Sequence, residues 1–502
     1  MLLLSPQKII SGVRTDKLNS LIAIYDFEFF PYALGDVLTW NVRTAIHCQE
    51  LGRKSVNVYI CLDNRHLSRV FQLDLIGEDN YELFFSELYT AFGTHPCLGN
   101  ISIFRTREDL IENLMQAAES DPIATETIEE YLLVLEKSEK YKFLSDMVSG
   151  VRRRLAPFKD VIKGTLPKKA WKIIFKLADP AGSKVAEYFD KHIHSHEMIN
   201  AFSAKFGRIP MLQEALGCSP DVDEFMSQRL LGKKIVPFHL RLRRLDAGYG
   251  GDQTYDRDSD FLEWYDFLRL AARRYNEVTF VALGRLQEKP LELLGLPNVI
   301  SLRSFGMGLG HELTLMNRSD LFIGSSSGFA AYANFSRTPY FITKMSPGAC
   351  RAYVIPEGSA RLPFAFPKQE LVYEKETSEM LMGLLELGLG LESTQAEDVS
   401  KDPATTTNFK SQSEMVDVET WRNACLDPRN PAATTRRFRT DTNYREAETG
   451  FLLDPVFDRI DALRKQGHRD EALTLLARVN KNFPELSPRL PRFVSLSAIL
   501  QR

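Results

Sequence analysis

The residues of this 502-residue chain best suited to chemistry are cations gathered where an apolar run ends, in Val236-Pro237-Phe238-His239-Leu240-Arg241-Leu242-Arg243-Arg244-Leu245-Asp246. Guanidinium groups grip phosphate oxygens through paired hydrogen bonds and keep their charge at any working pH. If the strand continues through the run, alternation puts His239, Arg241 and Arg243 on one side. The same cations could instead pair with Asp246, Asp252, Asp256 or Asp258. A second segment, Asp320-Leu321-Phe322-Ile323-Gly324-Ser325-Ser326-Ser327-Gly328-Phe329, leads an apolar strand into small residues and then a helical pattern with Ala330, Ala331, Ala333 and Asn334. Small side chains let backbone N–H groups and hydroxyls approach an anion at a helix N-terminus. Gly and Ser also make a tight strand-to-helix turn without any ligand. Sharing a sheet edge with the arginines favours the anion site. No lysine follows the glycines, which excludes a P-loop NTPase.

Other clusters carry less. His192, His194, His196 and Glu197 have an alternating spacing that a strand, but not a helix, would turn into one metal-binding face. Their surroundings read as helix, so a solvated helix and no metal are expected. Arg436-Arg437-Phe438-Arg439 is too short a basic run for RNA. Asp252, Asp256, Asp258 and Asp260 lack the Gly and closing Glu of a calcium loop. That stretch reads as a mobile loop over the ligand edge, hinged at Gly248, Gly250 and Gly251.

The elements that must position these residues are legible from periodicity. Leu21–Tyr25 is an apolar run suited to a buried parallel strand. Leu34-Gly35-Asp36 follows, then a helical pattern through Val37, Trp40, Thr44, Ala45, Cys48 and Leu51, and Ser55–Cys61 alternates as the next strand. Residues 81–93 read as helix and Ile101–Phe104 as strand. From about 107 to 230 the pattern is helical, an insertion in the first α/β domain. A second α/β series has strands at Ile235–Leu240, Val278–Leu283, Val299–Leu302, Leu321–Ile323 and Tyr340–Thr343, with a helix bearing Phe261, Trp264, Tyr265, Leu268, Ala272 and Tyr275 on one face. Such alternation predicts a parallel, doubly wound sheet. Residues 376–390 give one more helix, 391–450 read as polar linker, and 451–502 as two short helices about Gly467. The last pair resembles a single tetratricopeptide-like hairpin, which cannot bury its own face and must dock on the body, a partner or a second copy.

Hydrophobic residues are 44% and charged residues 26% of the chain, the balance of a globular protein. Lys+Arg is 63 against Asp+Glu at 66, so no global basic field marks a general nucleic-acid binder. No apolar run approaches the roughly 20 residues that cross a bilayer, and Met1-Leu2-Leu3-Leu4 is short for a signal core. Six cysteines without regular spacing fit a reducing compartment, so a cytoplasmic location is expected.

Two α/β halves, a strand leading into His239-Leu240-Arg241 and the later Ser319-Asp320-Leu321-Phe322-Ile323-Gly324-Ser325-Ser326-Ser327-Gly328 turn resemble glycosyltransferases of the GT-B architecture. The likeness spans roughly residues 20–390 and is densest at 233–345, where it points to the fucosyltransferase-like branch with its strand-end H-x-R or R-R-x-D pattern. Both His239-Leu240-Arg241 and Arg243-Arg244-Leu245-Asp246 offer that pattern. Ala33-Leu34-Gly35-Asp36 is similar to the G-x-G-D loop of heptosyltransferases, with Ala33 in place of the first Gly.

The resemblance implies two Rossmann-like domains, 1–230 on the acceptor side and 231–390 binding a nucleotide sugar, and transfer of the sugar without a metal or resident cofactor. Arg241 and Arg243 would stabilise the leaving diphosphate. His239, Arg244, Gly284, Arg285, Gly324, Ser325, Ser326, Ser327 and Gly328 would bind the donor. Asp36 would be the general base, unless it caps the helix, with Glu28 and His47 as substitutes. A GDP-sugar donor and a glycan or protein acceptor, as in polysaccharide biosynthesis, follow from the same likeness. The alternatives are a nucleotide-sugar epimerase or hydrolase on this fold, or a non-catalytic scaffold recruiting partners through 451–502.

Overall fold

The computed structural model describes residues 19–27, 30, 33–63, 81–118, 127–133, 135, 196–242, 257–285, 289–392 and 442–501. Arg243, Arg244, Asp246, Glu28, His192, His194, the three hinge glycines and residues 393–441 of the expected linker lie outside them. No described helix is long and apolar enough to cross a membrane. The chain forms two compact units: the first takes the described residues of Met1–Asp74 and His95–Pro210, the second those of Leu75–Thr94 and Met211–Arg502.

In the first unit β1 (Ser20–Asp26), helix α1 (Leu34–Glu50) and β2 (Ser55–Cys61) make the expected βαβ unit. Helix α2 (Tyr81–Phe92) follows in sequence but belongs to the second unit. β3 (Leu98–Phe104) and α3 (Arg107–Ala118) return to the first unit, as does α4 (His196–Phe206). The strands pair in parallel in the order β1-β2-β3. β1 is buried along its whole length, as a parallel strand covered on both faces must be. Trp40 of α1 meets Tyr25 of β1 edge-on, 5.3 Å between ring centroids. Ahead of β3, His95 Nδ1 accepts from the Cys97 amide at 3.2 Å, and Nε2 lies 2.9 Å from the Thr44 hydroxyl of α1. With Nδ1 an acceptor, the proton sits on Nε2 and is donated to Thr44, whose own hydroxyl donates to the Trp40 carbonyl at 2.8 Å.

The second unit begins with α5 (Ser219–Arg229) and β4 (Lys234–His239), then α6 (Phe261–Arg274), β5 (Val278–Ala282), α7 (Leu291–Leu294), β6 (Val299–Ile300) and α8 (Leu309–Asn317). β7 (Phe322–Ser325), α9 (Gly328–Asn334), β8 (Tyr340–Thr343), α10 (Pro347–Tyr353), β9 (Gln369–Leu371) and α11 (Ser378–Leu389) complete the α/β series. All six strands are parallel in the order β6-β5-β4-β7-β8-β9. Counted from β4 this is the doubly wound order 3-2-1-4-5-6, in which connections leave in opposite directions from β4 and β7 and open a crevice at their carboxyl ends. Both units are thus Rossmann-like α/β layers, as the alternation of short strands and helices predicts.

α6 is amphipathic because Phe261, Trp264, Phe267, Leu268 and Ala271 recur at helical steps, and all five are buried. Asp260 caps it by accepting from the Glu263 amide. Trp264 stacks on Phe238 of β4 at 5.7 Å and Phe267 meets Phe280 of β5 edge-on at 5.4 Å. Truncating either side chain to alanine costs about 3–5 kcal/mol. Beside α6, a Cβ at Gly388 of α11 would stand 2.5 Å from a Leu321 methyl, so the glycine lets this helix come close to the sheet without displacing that side chain.

Several boundaries differ from expectation. α2, encoded in the first half, packs on α8 of the second unit, and Glu87 reaches Arg303 at 3.1 Å. β9 reads Gln-Glu-Leu, too short and polar to be recognised as a strand. Helix α12 (Thr442–Lys465) starts inside the stretch read as linker, where Glu446-Ala447-Glu448 favours helix despite the polar composition around it. After α13 (Arg469–Asn482) comes a third helix, α14 (Pro491–Gln501), whose Pro491 stands at its first position, where the missing N–H costs nothing. Much of the apolar surface of these helices packs on the body of their own chain, while Val494 and Ile499 of α14 stay exposed. Leu453, Val456, Phe457, Ile460, Leu476 and Val479 join the core of the second unit, and Phe483 stacks on Phe261 at 5.8 Å.

Candidate functional site

The carboxyl edge of β4 and β7 gathers the expected cations and small residues, with some changes of role. β4 ends at His239, paired with Gly324 of β7, so strand alternation does not run on to Arg243. A Cβ on Gly324 would lie 2.8 Å from the His239 carbonyl oxygen, which makes this glycine a condition of strand pairing. His239 packs its ring on Phe329 at 4.9 Å. Burial first, then Lys289 and Arg241, push its pKa down to about 3, so it is neutral and offers no charge to an anion.

Arg241 stands just beyond the strand. Its amide donates to the Ser325 hydroxyl at 3.2 Å, and its carbonyl accepts from the Ser259 amide at 2.8 Å. Its Nε lies 3.7 Å from Asp258, beyond hydrogen-bond range. The same returning segment brings Arg257 beside it. Burial, then the Arg241 charge, hold Arg257 below its usual pKa, against the smaller pull of Tyr353 and Asp258. Arg257 and Arg241 thus repel each other at the switch point, with Asp258 3.7 Å from the Arg241 Nε. The hydroxyl of Tyr353, from α10, lies beside Ser326 and Asn334 at the same edge. An arrangement that forces two cations together in a half-buried place has a cost, which an anion of two or more charges removes.

The three serines are divided among different tasks. Ser325 is fully buried and fixes Arg241, Ser326 faces Tyr353, and Ser327 caps α9 by accepting from the Ala330 amide. Gly328 opens that helix. Gly284 donates to Glu312 at 3.0 Å and accepts from Lys289, while Arg285 lies 3.4 Å from Glu87. Glu312, fully buried, also accepts from Arg303 at 2.9 Å. The loop after β5 thus carries an internal ion network.

In the first unit Asp36 lies in the first turn of α1, two residues inside the helix. The cap position is Ala33, so Asp36 is not the cap residue; an acid in the first turn complements the helix dipole. His47 is exposed on the last turn of the same helix. At the carboxyl end of β1, Asp26 is fully buried, takes two bonds from Arg107 at 3.0 and 3.2 Å, and accepts from the Tyr131 hydroxyl at 2.6 Å. Burial works against the Arg107 charge, but Asp26 outweighs it and raises the pKa. The buried His196 opens α4, and among the described residues no three His, Cys, Asp or Glu side chains are placed to hold a metal ion.

Sequence reasoning passed over Arg257 and Tyr353. The signal for Arg257 was its place, three residues before the cap of the first helix after β4, where a chain leaving the switch point must turn back over the strand ends. Tyr353 carried none, because α10 reaches this edge only through the fold.

No protein-family model and no curated protein matches the chain. Solved structures show a distant likeness. The glycosyl transferase family 9 structure from Veillonella parvula is 11% identical at a TM-score of 0.34, covering 74% of this chain and 98% of that one. The ADP-heptose LPS heptosyltransferase II of E. coli is also 11% identical, at 0.35, over 74% and 98%. A putative UDP-N-acetylglucosamine 2-epimerase from Listeria monocytogenes is 9% identical at 0.30, over 74% and 88%.

Proposed function

We propose that the second unit binds the diphosphate of a nucleotide sugar at the carboxyl edge of β4 and β7, and that the protein transfers the sugar to a glycan or protein acceptor. The observation that supports this is Arg241 at the switch point of a doubly wound sheet, its backbone held by Ser325 and Ser259, with the Arg257 charge of the same returning segment felt beside it. As the glycosidic bond breaks, negative charge builds on the leaving diphosphate. Two fixed guanidiniums meet that charge without reorganising, and losing one such donor raises the barrier by about 3–4 kcal/mol. Arg243 and Arg244, next in the chain, are candidates for the same charge. Asp36 is the proposed general base for the acceptor hydroxyl. The donor class proposed is a GDP-sugar, and transfer is proposed to be insensitive to chelators because arginines carry the charge stabilisation.

The test is a thermal-shift panel of UDP, GDP, CDP and ADP with and without EDTA. A ligand at 100 times its dissociation constant adds about 2.7 kcal/mol, which moves the melting temperature measurably. One diphosphate, GDP by this reading, should stabilise the wild type in both conditions and fail to stabilise Arg241→Ala. Asp36→Asn should keep binding and lose transfer. No shift from any nucleotide would overturn the proposal.

A further inference from the structure

An ion cluster in the middle of α13 joins the C-terminal helices to α6. Arg478 of α13 donates to both carboxylate oxygens of Glu263, each at 2.9 Å, and to Asp266, all on α6. Glu263 is 7% exposed, so it depends on this partner. Its second oxygen also accepts from the Ser378 amide at 2.9 Å, tying in the start of α11. One turn earlier, the Asp260 amide donates to Glu376 at 2.9 Å, and Glu376 accepts from the Thr343 hydroxyl at the end of β8 at 2.6 Å. The short stretch Arg257–Asp260 thus runs into an α6 N-terminus tied through Asp260 to Glu376 and, three residues on, through Glu263 to Arg478. The same stretch meets Arg241 three ways: the Arg257 charge acts on it, the Asp258 carboxylate lies 3.7 Å from its Nε, and the Ser259 amide donates to its carbonyl.

We infer that Arg478 is a positioning residue: through Glu263 it fixes the α6 N-terminus, and with it the spacing of Arg241 and Arg257. The C-terminal helices then serve the site of their own chain. The binding consequence rests on the diphosphate reading above; the ordering of residues 257–263 does not. A neighbouring bond supplies the control: Arg269 of α6 reaches Asn482 of the same C-terminal helix, and Asn482 in turn donates to Asp266, so this branch shares the Asp266 end of the cluster but leaves the Glu263–Arg478 bonds intact.

The experiment compares Arg478→Ala, Glu263→Gln and Arg269→Ala in the full chain, by amide hydrogen exchange and by titration with GDP and with inorganic pyrophosphate. Arg478→Ala and Glu263→Gln should speed exchange across residues 257–263, including the Ser259 amide, while peptides over 278–282 stay unchanged. Both should weaken GDP binding about 3- to 30-fold, the range for residues that act through a packed network. Arg269→Ala should do neither, and Arg478→Ala should add nothing to Arg241→Ala. Should Arg478→Ala fold poorly, Glu263→Gln carries the same comparison with the side-chain shape kept. Unchanged exchange at 257–263, or equal acceleration by Arg269→Ala, overturns the inference. If the wild type binds neither GDP nor pyrophosphate, the diphosphate reading fails and exchange alone decides the positioning role.

Discussion

Replacing Arg257 with methionine separates a binding role from a structural one, because the two predict opposite signs. In the free protein Arg257 is held below its usual pKa by burial and by Arg241, so its charge is a burden on the fold. Methionine keeps much of the stem's packing and removes the repulsion, so the variant should melt at or above the wild-type temperature. Binding should move the other way. A hydrogen bond to a charged group contributes about 1.5–3 kcal/mol, so removing one guanidinium should weaken a diphosphate about 10- to 150-fold. Isothermal titration with GDP at low and moderate salt, alongside melting of the free protein, reads both quantities. The wild-type affinity should also fall with salt more steeply than that of the variant, since one charge fewer is screened. A variant that loses more than about 1 kcal/mol of stability while keeping its affinity would refute the reasoning, and Arg257 would then be an ordinary structural cation.

Two further outcomes follow from buried groups. His95 in the first unit and His239 in the second are both neutral, with pKa values lowered to about 3 chiefly by burial. In the unfolded chain each takes a proton near pH 6.5, so the unfolded state binds more protons below that pH. Stability is therefore fully present above about 6.5 and falls with pH by about 1.4 kcal/mol per unit for each unit's histidine, toward pH 3. Urea melts at pH 7.5, 6 and 5 should show it, His95→Gln should flatten the slope for the first unit, and no change between 7.5 and 5 would contradict the placement. Asp26→Asn leaves Arg107 buried without its carboxylate, and should cost about 3–5 kcal/mol in a urea titration. A loss below 1 kcal/mol would mean that Asp63, 3.9 Å from the guanidinium, already compensates its charge.

Much of the architecture was written locally. Leu21-Ile22-Ala23-Ile24-Tyr25, the alternation of Ser55–Cys61 and the apolar stripe of Phe261, Trp264, Phe267 and Leu268 each state their conformation within a dozen residues. Patterns that need no distant partner can be read without one. Gln369-Glu370-Leu371 is a strand only because β8 offers an open edge beside it, and Tyr81–Phe92 belongs to the second unit only because α8 offers it a face. Neither fact has a local cause.

The candidate site divides in the same way. The sequence by itself determined that Arg241 follows a buried strand and that Gly324 and three serines follow another, which was enough to point to one sheet edge. It also determined that the C-terminal segment had an apolar face to bury. That β4 and β7 are neighbours, that His239 is a neutral packing residue, and that the serines are mostly spent on protein partners depends on the folded chain. The same holds for Arg257, 16 residues beyond Arg241, and Tyr353, more than a hundred beyond, arriving at one place. The physical reason is that a guanidinium's environment is set by charges and burial within a few ångströms, whereas sequence patterns report only what repeats along the chain. Which charges come within those few ångströms is settled by strand order and by the closing of α6 between the sheet and the C-terminal helices.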